Sequence, residues 1–108
     1  MKGGFPGGMQ SFMKQVQQMQ LRAEKVQNEL KTREFDGQAG GGAVKVKANG
    51  SYQLTSVQID ASVFKDGDAE MLQDLLLTAT NDALKNAQKT TEEEMGKLTG
   101  GMKIPGLF

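Results

Sequence analysis

Between Met9 and Leu30 the apolar residues fall at Met9, Phe12, Val16, Met19, Ala23, Val26 and Leu30, in steps of 3, 4, 3, 4, 3 and 4. That is an unbroken seam of period 3.5 over three heptads. The residues between are mostly Gln, Lys, Glu and Arg, which favour helix. No Pro or Gly interrupts residues 9–36. The spacing therefore predicts a helix from Met9 to Arg33, about 37 Å long at roughly 1.5 Å per residue. A lone helix of this kind is marginal in water, so its seam must be covered. Each seam side chain adds roughly 1.5–3 kcal/mol when fully buried, less for Ala23. The chain has 108 residues, enough for one domain over 1–108. Little is left to cover so long a stripe, and a second copy of the chain is the natural cover. The other reading makes the stripe core within a single chain.

Residues 1–8 and 99–108 are Gly-rich and read as loose tails. After the long helix, Glu34 to Ala39 reads as a short extended segment, and Gly40-Gly41-Gly42 as a link or strand bend. No GK[ST] follows the glycines, which excludes a P-loop. Ala43 to Ala48 alternates, with Val44, Val46 and Ala48 on one face and Lys45 and Lys47 on the other, as in a half-buried strand. Asn49-Gly50 signals a hairpin. On the return strand, Tyr52 and Leu54 are out of phase with Val57 and Ile59. This predicts a bulge near Thr55-Ser56 or a wetter first half. A two-residue turn would put Tyr52 on the lysine face and a three-residue turn would put it with the valines; both remain open. Lys65 to Asp68 reads as a loop, with Asp68 as N-cap. A second long helix carries Leu72, Leu75, Leu76, Ala79, Ala83 and Ala87 and runs on toward Gly96. The fold class is α+β: a long N-terminal helix, a small antiparallel three-stranded sheet with a hairpin, and a long C-terminal helix.

Composition narrows the chemistry. The chain has no Cys and no His, so disulfides, thiolate nucleophiles, imidazole bases and the commonest zinc ligands are absent. Asp66 and Asp68 flank Gly67, but a calcium loop needs ligands that are not supplied. No catalytic residue, metal site, cofactor or small-molecule substrate is expected. No stretch reaches the roughly 20 apolar residues of a membrane span, and residues 1–8 lack the apolar run of a signal peptide. A cytoplasmic protein with no membrane partner is the expectation. Net charge is zero, yet residues 1–59 carry eight basic against four acidic residues, and residues 60–108 five against nine. That asymmetry reads either as opposed basic and acidic surfaces or as ordinary solvated helix faces.

Several segments, taken in order, resemble the YbaB/EbfC family of bacterial nucleoid-associated proteins. They are Met13-Lys14-Gln15-Val16-Gln17-Gln18-Met19-Gln20, Gly40-Gly41-Gly42-Ala43-Val44-Lys45-Val46, and Asn49-Gly50 with Ser56-Val57-Gln58-Ile59-Asp60. Further matches are Glu70-Met71-Leu72-Gln73-Asp74-Leu75-Leu76, Asn81-Asp82-Ala83-Leu84 and Met95-Gly96-Lys97-Leu98-Thr99-Gly100-Gly101. Ala61, where relatives often have Pro, and the Phe64-Lys65-Asp66-Gly67 loop depart from the pattern. The resemblance implies an intertwined homodimer with long helices projecting like the arms of tweezers. It also implies binding to double-stranded DNA on the nucleoid, effects on gene expression, and no catalysis.

The resemblance brings no residue-level DNA signature, so the contact residues are chosen by physics. Lys14 and Lys25 lie eleven apart, about three helical turns, on the face opposite the seam. Arg22 flanks the seam, and Lys31 and Arg33 close the helix. Lys45 and Lys47 could extend the basic surface, or could be solvent-facing strand residues that discourage edge pairing. The expected mode is phosphate contact weakened by salt. The rival reading is a protein-interaction adaptor that uses the exposed Met/Gln-rich helix and the acidic Glu92-Glu93-Glu94 region.

Overall fold

The computed structural model describes residues 5–65 and 67–98, with side chains from residue 8 onward. Five of its six elements form the frame: α1 (Phe5–Thr32), β1 (Glu34–Ala39), β2 (Val44–Asn49), β3 (Leu54–Ile59) and the terminal helix α3 (Ala69–Leu98). The single-turn helix α2 (Ser62–Lys65) lies between β3 and α3. The α+β order matches the sequence expectation. The N-terminal boundary does not: α1 starts at Phe5, four residues before Met9. Pro6 in a first turn gives up no intrahelical hydrogen bond, so it starts a helix without breaking it. The expected tails at 1–4 and 99–108 lie outside the described residues.

The sheet order is β1-β2-β3, all antiparallel. The triple glycine is the β1–β2 turn, and Gly40, Gly41 and Gly42 all have positive φ (64°, 67° and 95°). At the second hairpin the Asn49 N–H donates to the Gln53 carbonyl (2.9 Å) and the Tyr52 N–H to the Asn49 carbonyl (2.9 Å). The loop is thus three residues, Gly50-Ser51-Tyr52, with Tyr52 in the left-handed region at φ 61°. Tyr52 belongs to the turn and joins neither strand face. Ala48 faces Leu54 while Lys47 faces Ser56, so Thr55 is the extra residue of the expected bulge. Asp60 caps α2 through the Ser62 N–H (3.0 Å), and Asp68 caps α3 through the Met71 N–H (3.0 Å).

One face of the sheet packs on α3. Val44, Val46, Ala48, Ala79 and Ala83 form a buried cluster with Ala39, flanked by Leu72, Leu75, Leu76, Leu84 and Ile59. The helix comes very close because both sides are small: a Cβ on Gly37 would lie 2.2 Å from the Ala79 carbonyl oxygen. Side chains of α3 also bond the outer edge of β1. The Gln38 N–H donates to Asp82 (3.1 Å), and the Asn86 amide to the Asp36 carbonyl (2.7 Å). Successive levels of α3 meet Gly40 (at Leu75), Gly37 (at Ala79 and Ala83) and then Leu30 and Phe35 (at Ala87), so α3 runs back alongside α1. A second close approach fixes the base of α1. The Gly50 N–H donates to the Leu30 carbonyl (2.9 Å), and a Cβ there would lie 2.1 Å from that same oxygen.

This path corrects the expectation that the whole seam meets a second chain. Leu30 and Val26 pack with Phe35 and Ala87, and Ala23 is buried within the same chain. Met19 is half-buried. Beyond it the seam is bare: Met9 is 51%, Phe12 62% and Val16 37% exposed. The reason is length, because α3 stops at Leu98 while α1 continues. The molecule extends over 79 × 19 × 17 Å, with a radius of gyration of 21.1 Å. A compact chain of this size has about 13 Å.

Ala87, Thr91 and Met95 share one stripe of α3, and the Thr91 hydroxyl is buried without a hydrogen-bond partner. Valine has nearly the same shape and no such group to desolvate. Thr91→Val should therefore raise stability by about 1 kcal/mol and the melting temperature by several degrees, read by thermal unfolding. A lower melting temperature would mean that the hydroxyl is satisfied in solution.

Candidate nucleic-acid interface

All seven cations singled out from sequence are exposed. Lys14, Arg22, Lys25 and Lys31 stand along α1. Among the described residues no carboxylate forms an ion pair with any of these four. All four are exposed, so each is free to meet an anion along the 28-residue rod.

Arg33 is different. Its guanidinium lies over the Phe35 ring, 5.4 Å from the centroid. It also sits within the field of the acidic end of α3. There Lys97 pairs with Glu94 at 2.8 Å. Chiefly through that hydrogen bond, the Glu94 carboxyl is held below its ordinary range and the Lys97 ammonium above its own. Arg33 lowers Glu94 further, as the weakest of these influences. A cation stacked on a ring and drawn to carboxylates is less available to phosphate than the other four.

Lys45 and Lys47 project from the sheet face that α3 leaves open. In register they face Gln38 and Gln58, and Asp36 and Ser56, respectively. These residues line a shallow concave surface of about 530 Å³. The two lysines are separated from the α1 cations by element and share their face with Glu34 and Asp36, which cancels their charge. The arrangement is a polar saddle, whereas α1 carries four cations against Glu24 and Glu29 and keeps a net positive charge.

Sequence reasoning missed one surface. Helix α3 covers the inner faces of β1 and β2 and stops short of β3. Leu54 and Val57, directly opposite the buried Ala48 and Val46, each remain 46% exposed. The bulge at Thr55 had signalled the change of phase, but not that the inner face beyond it lacks a cover. Among the described residues no three His, Cys, Asp or Glu side chains group as metal ligands, and no helix is long and apolar enough to cross a membrane.

Comparison with known proteins gives these features a context. The model of the YbaB/EbfC DNA-binding family matches residues 5–102. A nucleoid-associated protein of Clostridium novyi is 51% identical over 112 residues, covering 99% of this chain and 98% of the relative. One from Thermoanaerobacter pseudethanolicus is 49% identical over 109 residues, again with 99% and 98% coverage. Among solved structures, an uncharacterized protein of Helicobacter pylori superposes with a TM-score of 0.57 at 30% identity, covering 82% of this chain and 98% of that one.

Proposed function

The chain belongs to the YbaB/EbfC DNA-binding family, whose members are not enzymes, and from that premise we propose a nucleoid-associated protein of the cytoplasm that grips duplex DNA as a homodimer. The observation that carries the reading is the four unpaired cations Lys14, Arg22, Lys25 and Lys31 on a rod that projects from the body, with Lys14 and Lys25 on one face. Such cations reach phosphates, the contacts that position a protein on duplex without reading its sequence. Binding is therefore largely to the backbone, and the effect on gene expression follows from nucleoid organisation.

The homodimer is supported by the bare inner face of β3. A two-fold partner would cover Leu54 and Val57 together with the half-buried Leu76 and Leu84 of α3, and the interface would be the same patch on both copies. The outer edge of β1 is bonded by Asp82 and Asn86, whereas β3 has no such cover among the described residues. Pairing through β3 would leave two α1 rods projecting like the arms of tweezers and would present every cation twice.

Solution mass tests this directly. Light scattering at low micromolar concentration should give twice the 11.7 kDa of one chain, and duplex DNA should add to the dimer mass. Val57→Asp should return the species to one chain, because two desolvated carboxylates cannot share the interface. A wild-type mass of a single chain would remove the dimer. No association with duplex at about 50 mM salt, where phosphate-driven binding is strong, would favour an adaptor that uses the exposed α1 surface.

A further inference from the structure

The geometry points to an occupant for the bare part of the α1 seam: the chain's own last segment, Thr99 to Phe108. Helix α3 runs antiparallel to α1, with Ala87 at the level of Leu30 and Val26. Leu98 lies eleven residues further on, about 16 Å along the axis, which brings the end of α3 level with Val16–Met19. That is the level at which the seam loses its cover, for Ala23 is buried and Val16, Phe12 and Met9 are not. Helix α3 thus reaches Leu98 at the lower end of the uncovered stripe, with its axis pointing along it.

Reach and composition fit. From Val16 to Met9 the stripe is seven residues, about 10 Å. Ten residues span up to about 33 Å when extended. The segment reads Thr-Gly-Gly-Met-Lys-Ile-Pro-Gly-Leu-Phe, so Gly100-Gly101 precede Met102, Ile104, Leu107 and Phe108. These four apolar side chains match the apolar stripe of Met9, Phe12, Met13 and Val16. No acidic side chain or aligned base opposes the docking: Lys103 is the segment's one charged side chain, and Lys14 lies on the far side of α1 from the seam. A second copy could also cover the stripe. Tethering alone does not decide between them in a dimer, and whether a Phe12→Cys/Leu107→Cys disulfide forms within one chain or between two does. The docked segment would complete the antiparallel layer that α3 begins, and it is independent of whether the cations meet DNA.

Two measurements on the full chain test this. The first is hydrogen exchange in the wild type and in Ile104→Ser/Leu107→Ser/Phe108→Ser. Protection of amides 9–17 should fall about tenfold or more in the variant, while amides 79–87 stay unchanged. Wild-type protection should not change on dilution. Equal protection in both proteins, or protection of 9–17 that is lost on dilution, would overturn the assignment, the second result in favour of another copy. The other measurement uses the absence of native cysteine. Phe12→Cys/Leu107→Cys should close a disulfide within one chain on mild oxidation, read as monomer mass under denaturing, non-reducing conditions. Exclusively interchain disulfides, or none, would overturn it.

Discussion

Gly37→Ala should cost the protein about 3 kcal/mol or more and lower its melting temperature by at least about 12 °C. The added methyl would lie 2.2 Å from the Ala79 carbonyl oxygen, 2.3 Å from the Ala83 nitrogen and 2.8 Å from the Ala83 Cα. All three atoms are backbone, so no rotamer change relieves the clash and α3 must move off the sheet. That movement opens the cluster of Val44, Val46, Ala48, Ala79 and Ala83, where overpacking turns into lost burial. The better strand propensity of alanine returns only about 0.5–1 kcal/mol. Gly8→Ala is the contrast, because a Cβ there meets nothing within 4 Å. In a helix it should be neutral or stabilising by up to about 1 kcal/mol. Denaturant unfolding of both variants reads the comparison, and a Gly37→Ala protein as stable as wild type would mean that α3 does not lie so close in solution.

Affinity for random duplex should collapse with salt. A dimer presents Lys14, Arg22, Lys25 and Lys31 twice, and neutralising about six to ten phosphates loses roughly 10³–10⁵ in affinity between 50 and 200 mM salt. Lys14→Glu/Lys25→Glu takes four of those cations from the dimer. The log–log salt slope should become shallower by about 3 to 4 units, and affinity at 50 mM should fall by about a hundredfold or more. The dimer mass should be unchanged, since both residues stand on exposed helix away from β3. Titration by gel shift or fluorescence anisotropy across a salt series gives both numbers. A double variant with the wild-type slope would remove α1 from the interface. Loss of binding in Lys45→Glu/Lys47→Glu alone would move the interface to the open sheet face.

Periodicity made the frame legible. The seam announced α1, the alternation at Val44-Lys45-Val46-Lys47 announced β2 and its two faces, and the change of phase after Leu54 pointed to a bulge near Thr55-Ser56 or a wetter first half, of which the register shows the bulge at Thr55. What periodicity does not carry is the identity of the covering element. Ala23 and Met9 occupy equivalent seam positions, yet one is buried under α3 and the other is bare, because the difference depends on where a distant helix stops. The approach at Gly37 was equally hidden: the alanines of α3 read as an apolar face, but their smallness mattered as much as their polarity. Of the candidate interface, the α1 lysines were readable because exposure follows from the seam opposite them. The diversion of Arg33 toward Phe35 and the acidic end of α3 was not, because it arises from a tertiary meeting of three elements. The two prolonged elements also kept their boundaries from view. Gly-Gly and Pro near the N-terminus read as breakers, whereas a first helical turn tolerates them.

Only Arg33 separates α1 from β1, and the Gly50–Leu30 hydrogen bond clamps that junction to the hairpin. Further along, α3 braces the rod at Leu30 and Val26, and Ala23 is buried as well, so the free arm is the stretch from Phe5 to Met19, about 22 Å. A 10° bend where the brace ends would carry the tip by about 4 Å. In the proposed dimer the opening between the two arms would thus depend on how far α3 braces each rod, and evolution could retune the grip from there without altering a single charge.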